Sequence, residues 1–260
     1  RHAVPVSRDA AADAGHFTTL QVRGGQVQGR DWHLTRLVLA SRELYEGDPG
    51  KREILQRVRE ALLPAGAPSD CTLRIRVLPP HPGYRSGVMP GRPDPRLRIE
   101  VVLGPPHEPS ASPLRVCSHP GVRMFPRVKH LAMAAQSDAR ARAQAAGFDD
   151  ALFVGAEGLV CEGTFWNIAL RDDAGIVWPE APMLDGVTQR MLQHALREAG
   201  VPQRRAAVRL AELPAMRAAF ALNSRGVQDI AAVDDCRFPG DGHMSARLRA
   251  LLAAVPWQHP

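Results

Sequence analysis

Lysine is almost absent from this 260-residue sequence. Only Lys51 and Lys129 are lysines, and every other residue among the 33 Lys and Arg is an arginine. Arginine stays protonated and cannot form an imine, whereas a desolvated lysine amine can attack a carbonyl group. A chain that uses arginine for plain positive charge is expected to keep lysine where the amine itself reacts. Lys51 opens a polar helical stretch and is predicted to be an ordinary surface residue, so Lys129 is the candidate for chemistry.

Cysteine is also scarce, and its spacing excludes the common cysteine-based sites. The four cysteines are far apart and form no CxxC pair; they are Cys71, Cys117, Cys161 and Cys236. Such spacing indicates ordinary reduced thiols, and we expect a cytoplasmic protein. A cysteine-bound zinc site is not expected, and no other metal site is predicted.

Long apolar runs and aromatic clusters are missing as well. No run approaches the ~20 apolar residues of a membrane-spanning helix, and residues 1–14 lack the apolar stretch of a secretory signal, so we expect no membrane partner. Aromatic residues make up only 5% of the chain, and the net charge of +6 comes from scattered arginines. Because no basic run is interleaved with aromatics, we expect no nucleic-acid partner.

The first part of the chain has the pattern of a small mixed α/β domain. Residues 17–28 alternate around a Gly-Gly turn and predict a hairpin. Helical spacing follows over residues 32–45 and 53–63. Two strands are predicted at 72–79 and 96–103, on either side of a loop rich in proline and glycine. We therefore predict an N-terminal domain at 1–104, a Pro-rich linker at 105–115 and a larger domain at 116–260.

The larger domain alternates strands and helices. A short strand at 114–119 is followed by a helical run that starts around Lys129 and ends at Gly147. Extended segments then cover 150–163 and 166–179. A helix opens at Val187 with Gly200 as its C-cap, a strand–loop–strand unit follows at 218–235, and a closing helix ends near Val255.

Five motifs occur in order between Phe17 and Asp234: HLTRL, VKHL, EGLVCEGTFWNIAL, LDGVT and ALNSRGVQDIAAVDD. Together they resemble the class IV aminotransferase family, the fold-type IV enzymes that bind pyridoxal 5′-phosphate (PLP). This family includes branched-chain aminotransferases, D-amino acid aminotransferases and 4-amino-4-deoxychorismate lyases. The resemblance implies a fold of two α/β domains, with PLP in the cleft between them, and a homodimer.

The resemblance also implies a role for each motif residue. Lys129 is the Schiff-base former and proton carrier, and Glu162 lies beside the pyridine nitrogen, where an anion keeps the ring protonated. Taken alone, Glu162 would be interpreted as a surface glutamate. Leu184 packs on the cofactor ring, and His33 is a packed structural histidine. The phosphate-binding residues are Arg36, Gly186, Val187, Thr188, Asn223 and Ser224. Of these, Gly186, Val187 and Thr188 stand where a helix begins.

The substrate is less defined than the cofactor. Phe17 and Thr19, in GHFTT, match the start of the lyases, and KHL around Lys129 also resembles the lyase motif. Arg225 is a further candidate to hold a substrate carboxylate. Arg123 and Arg127 lie near the motifs as well and could also hold a carboxylate, but in a chain so rich in arginine we predict a surface charge for any one of the three. Ala134 stands where branched-chain aminotransferases have a tyrosine.

Two reactions therefore remain open. Aminotransfer from an amino acid is the family default, and elimination of pyruvate from an aminochorismate-like substrate is the alternative. Asp229–Ile230 replaces the family's usual Pro-Val pair, which affects the expected shape of the last loop. Two hypotheses from other classes are a PLP-binding protein without this chemistry and an anion- or nucleic-acid-binding protein that only uses the fold.

Overall fold

The computed structural model describes residues 7–63, 66, 68–89 and 92–260. Its contacts divide the chain into two compact units. The N-terminal unit contains the described residues from Ser7 to His107, together with Arg127–Met133 and Pro256–Pro260. The C-terminal unit contains Glu108–Pro126 and Ala134–Val255. The first boundary between the units follows His107 and lies inside the predicted linker at 105–115. Lys129 belongs to the N-terminal unit, whereas the sequence analysis placed it in the C-terminal domain.

The N-terminal unit is built on one antiparallel sheet. Its elements are α1 (Arg8–Ala14), β1 (His16–Arg23), β2 (Gln26–Gln28), α2 (Arg30–Tyr45), α3 (Lys51–Leu62), β3 (Cys71–Leu78), β4 (Arg98–Gly104) and a final strand, Trp257–Gln258. The strand order is final strand, β2, β1, β3, β4. Gly24 and Gly25 both have positive φ, at 55° and 72°, as a two-residue hairpin turn requires. The predicted hairpin, helices and strands of this region are confirmed.

Side-chain alternation decides which face of this sheet is apolar. Leu20 and Val22 of β1 are buried, and their register partners on β3 are Leu73 and Cys71. Helix α2 contributes buried residues at helical spacing, among them Leu34, Leu37 and Val38. Because successive strand residues point to opposite faces, Phe17 and Thr18 at the start of β1 point in opposite directions.

The C-terminal unit is built on a larger mixed sheet. Its elements are β5 (Leu114–Pro120), α4 (Ala134–Ala145), β6 (Asp150–Val154), β7 (Val160–Gly163), β8 (Asn167–Arg171), β9 (Ile176–Pro179), α5 (Val187–Glu198), β10 (Gln203–Ala206), β11 (Ala218–Asn223), β12 (Gly226–Val233), β13 (Cys236–Arg237) and α6 (Gly242–Ala253). The strand order is β10, β9, β8, β11, β12, β5, β6, β7, and β13 pairs with β12. Across the described residues, none of the helices is both long and apolar enough to cross a membrane.

Both faces of the larger sheet are buried. Ile168 and Leu170 of β8 belong to one apolar cluster, whereas Ala169 between them belongs to another. The second cluster also holds Leu192 of α5 and Leu248 of α6, so these helices pack on that face. The helix predicted to open at Val187 is confirmed; its C-cap is Ala199, and Gly200 follows with a φ of 63°.

The helical run predicted to start around Lys129 begins later than expected. Helix α4 starts at Ala134, and no helix is assigned over residues 121–133. The backbone at Lys129 pairs with the N-terminal unit instead: the N–H of Phe17 donates to the Lys129 carbonyl at 2.9 Å, and the N–H of Leu131 donates to the Gly15 carbonyl at 2.8 Å. The prediction was wrong because these long-range hydrogen bonds hold the segment extended.

Candidate active site

Lys129 is held against the start of β1. Its carbonyl accepts the hydrogen bond from Phe17, and the neighbouring residues His16 and His130 form an antiparallel bridge. The Lys129 Nζ lies 4.9 Å from the centroid of the Phe17 ring, which is itself buried. The amine is therefore positioned both through its backbone and through an aromatic contact.

Arg36 on α2 is fixed from the same strand. Its guanidinium donates a short hydrogen bond to Thr18 Oγ1, and Thr18 Oγ1 also lies 2.7 Å from His33 Nδ1. Thr18 and His33 are buried. Burial, followed by the charges of Arg36 and Lys129, holds the pKa of His33 well below its ordinary value. His33 is therefore neutral in the folded protein at neutral pH.

A second buried histidine lies on the same strand. His16 Nε2 is 2.8 Å from Ser41 Oγ on α2. Burial, with a smaller effect from the charge of Arg36, lowers the pKa of His16 to about 3. The candidate site residues of the N-terminal unit thus include two cations, Lys129 and Arg36. The imidazoles of His16 and His33 close to them are neutral.

Phe17 and Thr19 lie on one face of β1, next to an arginine. The guanidinium carbon of Arg74 is 5.3 Å from the Phe17 ring centroid, and Arg74 is the register partner of Thr19 on β3. The Phe17 ring therefore has both Lys129 and Arg74 beside it. These contacts connect the GHFTT motif with the lysine motif inside one unit.

Glu162 is buried in the C-terminal unit and carries an ion pair that the sequence did not predict. Glu162 is 1% exposed and Arg123 is 4% exposed. Arg123 Nε donates to Glu162 Oε1 at 2.8 Å, and the N–H of Leu184 donates to the same oxygen at 3.2 Å. The prediction of a surface charge was wrong for Arg123, since nothing in its local sequence separates it from the many exposed arginines. Arg127, by contrast, has a side chain that is 83% exposed.

Asn167 joins Leu184 to the beginning of α5. Its Nδ2 donates to the Leu184 carbonyl at 2.7 Å. A Cβ placed on Gly186 would lie 2.0 Å from Asn167 Oδ1, so this position accepts only glycine unless Asn167 moves. Leu184, Gly186 and Glu162 are therefore brought together through one asparagine side chain, which the sequence marked only as part of the glutamate motif.

The N-terminus of α5 is arranged for an anion. Gly186 is its N-cap and offers no side-chain cap, and the first turn contains no acidic residue. Thr188 Oγ1 donates to the carbonyl of Asn223 at 2.8 Å, which joins the helix to the tight turn after β11. The N–H of Arg225 donates to Asn223 Oδ1 at 2.8 Å, and Arg225 is exposed. The N–H groups of a helix N-terminus and the helix dipole both favour a negative ligand such as a phosphate.

A buried carboxylate supports the turn that links Glu162 to Asn167. Asp150 accepts hydrogen bonds from Thr164 Oγ1 at 2.6 Å and from Trp166 Nε1 at 3.0 Å. Arg140 Nε lies 3.6 Å from the same carboxylate. Sequence reasoning missed Asp150, whose signal is an acidic residue at the start of a fully apolar strand.

The residues present fit PLP in their donor chemistry. Among the described residues, the hydrogen bonds to the Glu162 side chain end on Oε1, so Oε2 could accept from a protonated ring nitrogen. The α5 N-terminus and Arg36 each offer donors to a phosphate. Lys129 would supply the amine.

Comparison with known proteins assigns the family. The family model for amino-transferase class IV matches residues 15–233. The chain therefore belongs to the class IV aminotransferase family, whose members depend on PLP. The match contains every candidate site residue named above, from Phe17 to Arg225.

Individual relatives are distant. One is a probable branched-chain-amino-acid aminotransferase from Synechocystis, 26% identical over 51% of this chain and 45% of the relative. The chain thus spans less than half the length of this curated relative. A fold IV transaminase from Curtobacterium pusillum has a TM-score of 0.78 at 23% identity, over 97% of this chain and 91% of the other. A proposed 4-amino-4-deoxychorismate lyase from Legionella pneumophila has a TM-score of 0.82 at 17% identity, over 98% and 96% of the two chains.

Proposed function

We propose that this protein is a PLP-dependent aminotransferase that acts on an amino acid through Lys129. The observation that carries the proposal is the buried ion pair between Glu162 and Arg123. Burying a carboxylate is costly unless it is paired, and Arg123 pairs it through Oε1 alone. A buried negative charge with a remaining acceptor oxygen suits the protonated nitrogen of a pyridine ring.

The other residues have roles that follow from their surroundings. Arg36, Gly186, Val187, Thr188, Asn223 and Ser224 would bind the phosphate. Leu184 would pack on the ring, at the position where its backbone N–H is tied to Glu162. When bound, PLP supplies an electron sink that acidifies the substrate Cα–H bond. The Lys129 amine would hold the cofactor, and as a free amine it would carry the Cα proton at Nζ.

Substrate contacts are assigned to the strand beside the lysine. Phe17, whose ring lies next to Lys129 Nζ, and Thr19 on the same face would line the substrate site, and Arg225 is proposed as a further contact. We also propose that the protein works in the cytoplasm as a homodimer. The reduced cysteines and the usual assembly of the family support these two assignments.

Elimination of pyruvate from 4-amino-4-deoxychorismate is the second candidate. It is favoured by one specific observation: Phe17 of the lyase-like GHFTT motif contacts Lys129 of the lyase-like KHL motif. Both reactions begin with removal of the Cα proton and diverge only at the next step, so the same residues serve both.

A paired assay separates these reactions. The holoenzyme is incubated with aminodeoxychorismate and assayed for pyruvate, and then with an amino-acid and keto-acid panel and assayed for exchanged amino groups. We expect amino exchange. Pyruvate without amino exchange would replace the first proposal with the second.

The lysine assignment has a matched control within the chain. Lys129→Ala is expected to abolish the absorbance band of bound PLP and its shift on adding an amino donor. Lys51→Ala removes the other lysine, which is exposed and donates to Thr35 Oγ1. This variant is expected to change neither the absorbance band nor its shift. A Lys129→Ala protein that keeps full activity would refute the proposal.

A further inference from the structure

We propose that Thr18 and His33 form a hydrogen-bond relay that holds the guanidinium of Arg36 in the orientation that binds the cofactor phosphate. Thr18 and His33 are then positioning residues, because they act through Arg36 rather than on the cofactor. The inference rests on the proposed function, since it takes Arg36 as a phosphate ligand.

The first step is the position of Thr18 on β1. Phe17 and Thr18 are neighbours on opposite faces of the strand. Phe17 contacts Lys129 through both its ring and its backbone N–H, whereas Thr18 contacts Arg36 and His33. One dipeptide of β1 therefore sets the position of the reactive amine and of the guanidinium.

The chemistry of the guanidinium sets the direction of the first hydrogen bond, and the relay assigns the direction of the second. A guanidinium has only donors, so Thr18 Oγ1 accepts from Arg36. The hydroxyl hydrogen of Thr18 is then directed to His33 Nδ1, 2.7 Å away. In the proposed relay His33 Nδ1 accepts it, which places the imidazole proton on Nε2.

The burial of the relay agrees with this assignment. Thr18 is completely buried, where a hydroxyl without an acceptor would be costly. Burial and the charges of Arg36 and Lys129 keep the pKa of His33 low, so one ring nitrogen remains able to accept a hydrogen bond at neutral pH. A protonated His33 would turn Nδ1 into a donor and take away the acceptor of Thr18.

The consequence is a preformed phosphate ligand. Arg36 has five N–H donors, and the bond to Thr18 orients the guanidinium plane before any ligand arrives. Binding then costs less side-chain ordering, which raises affinity. The benefit applies only to ligands that carry the phosphate.

The test compares PLP with pyridoxal, which lacks the phosphate, by absorbance titration of the full-length apoprotein. Thr18→Val keeps the shape but removes the hydroxyl. Because a hydrogen bond to a charged group contributes ~1.5–3 kcal/mol, we expect a roughly tenfold or larger increase in the Kd for PLP. The Kd for pyridoxal is expected to change by less than about twofold. Thr18→Ser is expected to restore the affinity for PLP.

Thr35→Val is the matched control. Thr35 precedes Arg36 on α2, but its hydroxyl accepts from Lys51, so the variant should leave both Kd values unchanged. Arg36→Gln tests the premise and is expected to remove most of the preference for PLP over pyridoxal. If Arg36→Gln removes this preference and Thr18→Val does not, the relay is refuted while Arg36 remains a phosphate ligand.

Two further outcomes distinguish a failure of the relay from a failure of the proposed function. A wild-type protein that binds neither compound through Lys129 would refute the proposed function. The relay has its own readout in the ¹⁵N NMR spectrum of the unsubstituted protein: His33 is expected as the neutral tautomer with its proton on Nε2. A proton on Nδ1 would overturn the relay even if every Thr18 variant failed to fold.

Discussion

The two units hold their charged site residues by different physical means. In the N-terminal unit, the guanidinium of Arg36 donates to a neutral hydroxyl, Thr18, and two neutral histidines, His16 and His33, are buried close by. In the C-terminal unit, the carboxylate of Glu162 is paired with the opposite charge of Arg123. Neutral histidines make the first arrangement sensitive to acid, whereas the ion pair makes the second sensitive to the loss of a single partner.

Breaking the ion pair should have the largest effect. Arg123→Met leaves the buried charge of Glu162 without its partner, so we expect a loss of about 3–5 kcal/mol in the free energy of unfolding, measured by urea denaturation. Arg127→Met, at an exposed position, should change it by less than about 0.5 kcal/mol. Adding Glu162→Gln to Arg123→Met should recover part of the loss; equal losses in the single and double variants would contradict this explanation.

Acid should weaken the N-terminal unit next. The pKa of His16 is about 3 in the folded state and 6.5 ordinarily, so the unfolded chain binds this proton first. The stabilisation is complete above pH 6.5 and is lost as the pH falls toward 3. At about 1.4 kcal/mol per pH unit, His16 alone should cost about 3 kcal/mol between pH 6.5 and about 4.5, and His33 acts in the same direction.

Amide hydrogen exchange at the two pH values can locate this effect. Protection should fall first in β1 and α2. His16→Gln should flatten the pH dependence, whereas His243→Gln, at an exposed position, should leave it unchanged. If amide protection fell first in the C-terminal unit at low pH, the N-terminal unit would not be the acid-sensitive one, which would contradict this prediction.

A smaller effect is expected where the C-terminal unit relies on close packing. Gly186→Ala would place a Cβ 2.0 Å from Asn167 Oδ1, which forces Asn167 away from the Leu184 carbonyl. Losing a buried hydrogen bond costs about 1–3 kcal/mol, again readable by urea denaturation. Gly242→Ala, where a Cβ meets open space, should be neutral or slightly stabilising, and a similar loss in both variants would argue against the clash.

The smallest effect should come from the hydroxyl that joins α5 to the turn after β11. Thr188→Val removes its bond to the Asn223 carbonyl and should lower the free energy of unfolding by about 1 kcal/mol. Thr188→Ser keeps the hydroxyl and should restore most of this loss. If Ser and Val behaved alike, the methyl contacts rather than the hydrogen bond would be responsible.

Much of the fold was predictable because its signals are local. Alternation around Gly24–Gly25 predicted the first hairpin, and apolar spacing predicted α2, α3 and α5. The start of α4 was not predictable in this way. The residues before Ala134 are extended because they bond to Gly15 and Phe17, more than 100 positions earlier, and no local pattern encodes such a partner.

The sequence by itself determined the family and the motif residues, because reactive residue types in a fixed order can be recognised from the sequence alone. Lys129 stood out as one of two lysines, and Glu162 and Thr188 stood out by their motifs. Only the tertiary structure decided which side chains support them. Arg123 is indistinguishable from an exposed arginine until burial against Glu162 is seen, and Thr18 connects to Arg36 only after β1 packs on α2. Pairing and desolvation arise from distant segments meeting, so their effects exist only in the folded chain.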